Sequence, residues 1–164
     1  MITIRDAVIE DLPALLEIYN YAIENLTATF DLQQQTLEER KNWFDSHGGK
    51  YPLIIAEEDG NVIGYSSLSP YNKKSAYSTT VEISIYIAPN QQGKGIGSKL
   101  MTEILSLASQ LNYHAIIAGI TGGNEVSVQL HKKFGFKLAG SLKEVGFKFG
   151  EWQDVHYYQL IVGK

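Results

Sequence analysis

Residues Val81 to Ser98, VEISIYIAPNQQGKGIGS, hold a strand, a turn, a glycine loop and the first turn of a helix, in that order. Val81, Ile83, Ile85 and Ile87 alternate with Glu82, Ser84 and Tyr86, the period-2 pattern of a strand whose two faces meet different surroundings. Pro89 and Asn90 end it, because proline has no N–H for a ladder and asparagine suits a turn. Glycines then stand at 93, 95 and 97, and Ile96, Leu100, Met101, Ile104, Leu105, Ala108 and Leu111 recur at helical spacing.

Strand, glycine loop and helix in this order make an anion site. The first N–H groups of a helix have no intrahelical acceptor, and the helix dipole places partial positive charge there. Glycines let the backbone turn sharply and approach a phosphate with no Cβ in the way, and Lys94 adds a charge beside the loop. Two familiar phosphate loops fit poorly. No Gly-x-x-x-x-Gly-Lys-Ser/Thr run is present, and a G-x-G-x-x-G fingerprint would need its third glycine at Ser98.

At 164 residues the chain reads as one domain, 1–164, long enough to bury a sizeable core. No apolar run approaches the roughly 18 residues of a membrane span, and MITIRDAVIEDL lacks a signal-peptide pattern, so a cytoplasmic protein without a membrane partner is expected. The absence of cysteine removes disulfides, thiolate metal sites and a cysteine nucleophile together. A net charge of −4 with thinly spread Lys and Arg argues against a nucleic-acid partner. No metal is expected.

Outward from the central stretch, Ile2–Ala7 reads as a first strand, and Asp11 with Pro13 marks the start of a helix reaching about Asn25. Leu26–Phe30 is short and reads as an ordered loop. Thr36 caps a second helix, with Glu38 and Glu39 in its first turn and Gly48-Gly49 as its stop. Pro52–Glu57 and Val62–Ser69 form a hairpin across Asp59-Gly60-Asn61. Lys73–Ser78 is a polar connection. After the central strand and helix come a strand at Ala115–Ile120, a helix from Asn124 to Phe134 stopped by Gly135, and β-rich segments Phe136–Leu142 and Val155–Val162. The order βααβββαβαββ gives an α/β domain with a mixed, mostly antiparallel sheet, and the two strands joined through the central helix run parallel if adjacent.

Gln92-Gly93-Lys94-Gly95-Ile96-Gly97 resembles the acetyl-CoA signature Q/R-x-x-G-x-G/A of the GNAT N-acetyltransferase superfamily, with Gln92, Gly95 and Gly97 in the signature positions. The similarity narrows through Asn20-Tyr21, Thr29-Phe30, Ala76-Tyr77, Val81–Ile87, Gly123-Asn124 with Ser127, Leu130-His131, and above all Val145–Val155, VGFKFGEWQDV. These are similar to phosphinothricin N-acetyltransferases and their methionine sulfoximine/sulfone relatives. The resemblance implies a twisted sheet flanked by helices, with a splayed parallel strand pair that binds acetyl-CoA. It implies acetyl transfer to the primary amine of a small amino-acid-like molecule, and a homodimer.

The resemblance also assigns residues. Main-chain groups of Ile85, Tyr86 and Ile87 match the strand that pairs with the pantetheine amides, in the manner of an added strand. Gly93, Lys94, Gly95, Ile96, Gly97 and Ser98 match the diphosphate cradle, and Asn124 and Ser127 match cofactor contacts. Asn124 alone reads equally as a plain N-cap. Glu82 matches the general base that frees the amine of its proton, and a carboxylate among isoleucines suits that task by its raised pKa. The alternative is a glutamate on a solvated strand face. His131 shares a helical face with Ser127 and matches a second base, or is a packed, hydrogen-bonded histidine. With no cysteine, direct attack of the amine is expected, and a strand N–H such as that of Ile87 is the oxyanion donor. Phe30, Lys74 and Tyr77 match the acceptor pocket, with Lys73-Lys74 also readable as a solvated loop. Lysine stands at 74 where phosphinothricin enzymes tend to carry arginine, and it cannot form the bidentate fork, which leaves related amino acids open as acceptors. Two other activities share this pattern: protein or peptide Nα-acetylation, and CoA sensing without catalysis.

Overall fold

Across residues 1–163, which the computed structural model describes, the alternating and helical patterns become seven strands and four helices. In chain order these are β1 (Ile2–Asp6), α1 (Leu12–Asn25), α2 (Leu37–Asp45), β2 (Leu53–Glu58), β3 (Asn61–Pro70), β4 (Thr80–Ile87), α3 (Ile96–Gln110), β5 (Ala115–Thr121), α4 (Glu125–Lys133), β6 (Lys137–Lys148) and β7 (Glu151–Ile161). The strands form one sheet in the order β1-β2-β3-β4-β5-β7-β6, antiparallel throughout except for the parallel pair β4–β5. The expected element order and the mixed sheet are both present.

Local chemistry explains the boundaries. Thr36 caps α2 through a capping box, its Oγ1 accepting from the Glu39 N–H at 3.1 Å while its own N–H donates to Glu39 Oε1 at 3.0 Å. Asp59 and Gly60 both have positive φ, as a two-residue hairpin turn requires. Val81 and Ile83, with Ile85 and Ile87 behind them, pack against Leu100, Met101, Ile104 and Ala108 of α3 on one face. The other face carries α1 and α2, where Leu15 and Ile18 meet Ile55 and Tyr65. There the buried Arg40 stacks 3.5 Å from the Trp43 ring centre and 4.0 Å from that of Tyr19, and donates to Tyr65 Oη at 2.7 Å.

Asp11 directly precedes α1, as expected; its side chain accepts from the Val8 N–H at 2.8 Å and pairs with Arg5, closing a 3₁₀ turn ahead of the helix. The polar connection before β4 contains a 3₁₀ turn, Ser75–Tyr77. Two sequence expectations need correction. Leu111 falls after α3 and is exposed. The last two strands are much longer than Phe136–Leu142 and Val155–Val162, and meet in a turn at Phe149-Gly150, both with positive φ. Two register shifts in β6 broke the period-2 signal there, and at the second Glu144 takes positive φ while its N–H bonds to Asp154. No helix among the described residues is long and apolar enough to cross a membrane.

Candidate active site

The parallel pairing of β4 with β5 is short, Thr80–Glu82 against Ala115–Ile117. Past Glu82 the two strands part, and between Ile83–Ile87 and Ala118–Thr121 opens a cleft of about 700 Å³. The far edge of β5 is paired along its whole length with β7, so β5 keeps a partner as it leaves β4.

Hydrogen-bond parity shows which groups face this cleft. The Thr79 carbonyl accepts from the His114 N–H at 2.8 Å, on the β5 side, whereas the Ala88 N–H donates to the Ile63 carbonyl of β3 at 2.9 Å. Main-chain groups alternate sides along a strand. Ile85 and Ile87 therefore turn their N–H and C=O toward the cleft, past the point where β5 can meet them. Tyr86 turns its main chain toward β3; its ring stacks on Tyr65 and its hydroxyl donates to the Ala28 carbonyl at 3.3 Å.

The open edge leads into the glycine loop. Gly93 and Gly95 have φ of +82° and +75°, and a Cβ added at either would meet nothing within 4 Å. The hollow side of the loop is thus open, and above it lie the N–H groups of Ile96, Gly97 and Ser98 at the start of α3. Gly97 serves a different purpose: a Cβ there would come 3.0 Å from Leu130 Cδ2, so it lets α4 approach α3. Gln92 stands in the cleft wall. Lys94 is drawn away to Glu58 at 3.1 Å and Gln91 at 2.8 Å. The cation that does reach the start of α3 is Lys133, donating to Ser98 Oγ at 3.0 Å. Only the packing of α4 on α3 brings it there, so the sequence gives no local signal for it.

Glu82 projects from the side of β4 that also carries Ser84 and Tyr86, and it lines the cleft. Among the described residues its carboxylate has no hydrogen-bond or ion-pair partner; although solvent reaches it through the cleft, shielding by the walls raises its pKa above the ordinary 4.5. His131 also lines the cleft but is only 5% exposed, with its ring edge-on to Phe136. Its Nδ1–H donates to the Ser127 carbonyl at 2.7 Å, which leaves Nε2 as an acceptor, and burial lowers its pKa. Asn124 caps α4 by accepting from the Ser127 N–H at 3.3 Å, and both residues bound the cleft.

The three acceptor-pocket candidates stand apart from these walls. Phe30 lies against Gly146, where an added Cβ would come 2.5 Å from its ring. Lys74 and Tyr77 are exposed on the connection before β4, Tyr77 against Tyr71. A part of the wall that the sequence does not reveal is Thr27–Thr29, together with Phe149, Glu151 and Gln153 of the β6–β7 hairpin. Among the described residues no group of three or more His, Cys, Asp or Glu is arranged to hold a metal.

The sequence pattern of the acetyltransferase (GNAT) domain matches residues 4–157. The chain is 40% identical to a phosphinothricin N-acetyltransferase of Streptomyces coelicolor, over 96% of this chain and 95% of the other. It is 38% identical to an L-methionine sulfoximine/L-methionine sulfone acetyltransferase of Pseudomonas aeruginosa, over 96% and 93%. The crystal structure of a phosphinothricin acetyltransferase from Sinorhizobium meliloti in complex with acetyl-CoA superposes with a TM-score of 0.95 at 37% identity, covering 99% of this chain and 89% of that one. A splayed parallel pair, an open glycine loop at a helix start and near full-length similarity agree, and the chain belongs to the GNAT acetyltransferase family.

Proposed function

We propose that this protein, as one domain, moves the acetyl group of acetyl-CoA onto the primary amine of a small amino-acid-like acceptor of the phosphinothricin or methionine sulfoximine/sulfone type. The observation that carries this reading is the unpaired edge of β4, which runs from beside Glu82 into an open glycine loop at a helix start. An extended pantetheine adds to such an edge as a strand would, through Ile85 and Ile87. A diphosphate fits the empty side of Gly93 and Gly95, against the N–H groups of Ile96, Gly97 and Ser98, with Gln92, Asn124 and Ser127 along the wall. Lys133 supplies the nearby positive charge, and Lys94 remains at the rim.

When bound, acetyl-CoA supplies an acetyl thioester. Glu82 takes the proton that an incoming ammonium must lose, directly or through water, and its raised pKa brings it nearer the amine's. The N–H of Ile85 is three positions from Glu82 and that of Ile87 is five, at roughly 3.3 Å per residue. Ile85 is therefore the better placed to donate to a carbonyl oxygen gaining negative charge. His131 Nε2 is a second proton acceptor on the opposite wall. Lys74 and Tyr77, on the connection before β4, and Phe30 are assigned to the distal end of the acceptor.

The same reading includes a homodimer and a cytoplasmic setting, where acetyl-CoA is available. Exposed Val145, Phe147, Phe149 and Trp152 at the β6–β7 tip supply an apolar face for a second copy.

Thiol release from acetyl-CoA, measured with phosphinothricin, methionine sulfone, simple amines and a peptide with a free N-terminus, tests this. Release with the amino-acid analogues is expected. Release with the peptide alone would make the protein a peptide Nα-acetyltransferase, and tight CoA binding without release would make it a sensor.

A further inference from the structure

An amino-acid acceptor brings a carboxylate as well as an amine, yet the walls of the cleft contain no lysine or arginine, and their carboxylates are Glu82 and Glu151. One buried cation stands a layer behind the wall. Lys148, near the end of β6, is 3% exposed and has no carboxylate within ion-pair distance among the described residues. Its Nζ donates to the carbonyls of Leu26 at 2.6 Å and Thr29 at 2.8 Å. A buried ammonium held directly by neutral carbonyls, with Asp31 and Glu24 acting on it from beyond ion-pair distance, is favoured when further negative charge arrives.

The segment it holds, Leu26–Thr29, forms a strap across the mouth of the cleft between β4 and β5. Thr121, on β5, donates to the Thr27 carbonyl at 2.7 Å, and Tyr86, on β4, donates to the Ala28 carbonyl. Every carbonyl from Leu26 to Thr29 is thus tied to a side chain of β4, β5 or β6. The N–H groups of Thr27, Ala28 and Thr29 have no acceptor among the described residues, and all three residues line the cleft. Amides whose carbonyls are tied to donors, one of them charged, are polarised, and these have no competing partner among the described residues.

We infer that the Thr27–Thr29 amides, backed by Lys148, are the subsite for the acceptor's carboxylate, and that Lys148 is a positioning residue for amino-acid acceptors. This rests on the amine-acetylation reading above. Lys148 does not touch the acceptor; it holds the strap and polarises it.

The test compares L-methionine sulfone with its decarboxylated amine, 3-(methylsulfonyl)propan-1-amine, on the wild-type protein, Lys148→Met and Lys148→Arg. The wild type is expected to favour the amino acid in kcat/KM by about tenfold or more, the worth of a charge-assisted pair. Lys148→Met should lose most of that preference through KM for the amino acid, with KM for acetyl-CoA unmoved, and Lys148→Arg should restore part of it. Equal losses on both acceptors would overturn the proposal and leave Lys148 a structural tie. A wild type that acetylates both equally would overturn it while leaving amine acetylation standing, and a wild type that acetylates neither nor any other amine would overturn both. If Lys148→Met does not fold, Thr121→Val, which frees only the Thr27 carbonyl, takes its place: it should shrink the ratio, and an unchanged ratio would overturn the proposal.

Discussion

Glu82 and His131 face the same cleft with opposite shifts, and each shift predicts a measurement. A base works deprotonated, so the wild-type rate should climb with pH as Glu82 ionises, at a pH above 4.5. Glu82→Gln should lower kcat by about a hundredfold and abolish that limb while CoA affinity, measured by calorimetry, stays within about threefold. An unchanged pH profile would remove Glu82 from the proton path. The same shift has a stability sign. A raised folded-state pKa contributes stability that is present in acid and lost as pH rises through it, so Glu82→Gln should melt slightly higher than wild type at neutral pH. For His131 the sign reverses: its pKa lies below 6.5, so its contribution is full above 6.5 and fades as pH falls through the lowered value. Thermal melts between pH 5 and 7 should slope for the wild type and flatten for His131→Gln. Alternation along β4 was enough to put Glu82 opposite the isoleucines. That this face looks into a cleft depends on β5 departing, a long-range event with no trace in the local pattern.

At the scale of elements, the glycine loop and α3 were legible because each signal is local: a turn pair, three glycines, and an apolar stripe. What the three glycines do individually was not. Gly95 is held at φ +75° with open space where a Cβ would go, so valine there is strained, by about 1–2 kcal/mol, and projects into the proposed cradle. Gly95→Val should cost CoA affinity at least about tenfold. Gly97→Ala instead presses on Leu130 at 3.0 Å, the far end of a flexible side chain. It should lower the melting temperature through α3–α4 packing more than it lowers CoA affinity. If both variants lost affinity alike with unchanged melting, the division of labour between them would be wrong. The long β6–β7 hairpin was half legible: its turn is marked by Gly150, but shifted register at Leu138/Gly140 and Leu142/Gly146 hides the alternation between. The strap at Leu26–Thr29 reads as a loop because its order comes from Tyr86, Thr121 and Lys148, none of them near it in sequence.

For the whole molecule, the element order followed from the sequence, but the neighbour order did not. β7 enters between β5 and β6, which makes β6 an edge of the sheet, as β1 is at the other side. Edge strands invite pairing and are commonly blunted by bulges and charge. Here the two register shifts, with Lys137, Lys143 and Glu144, do that for much of β6. The tip is different: Phe147 and Trp152 pack edge-on at 4.9 Å, and both are exposed together with Val145 and Phe149. This exposed apolar tip, on a protein of net charge −4, is the face proposed for a second copy. Phe149, Glu151 and Gln153 of the same hairpin line the cleft, so a second copy seated on this tip would also steady its wall. The wild type should therefore show twice the mass of one chain by light scattering, and Phe147→Ser with Trp152→Ser should show the mass of one. The paired substitution should also raise KM for the acceptor more than KM for acetyl-CoA, because the hairpin walls the part of the cleft proposed for the acceptor. A dimer that survives both serines, with unchanged KM, would place the interface elsewhere and leave the aromatic tip for another partner.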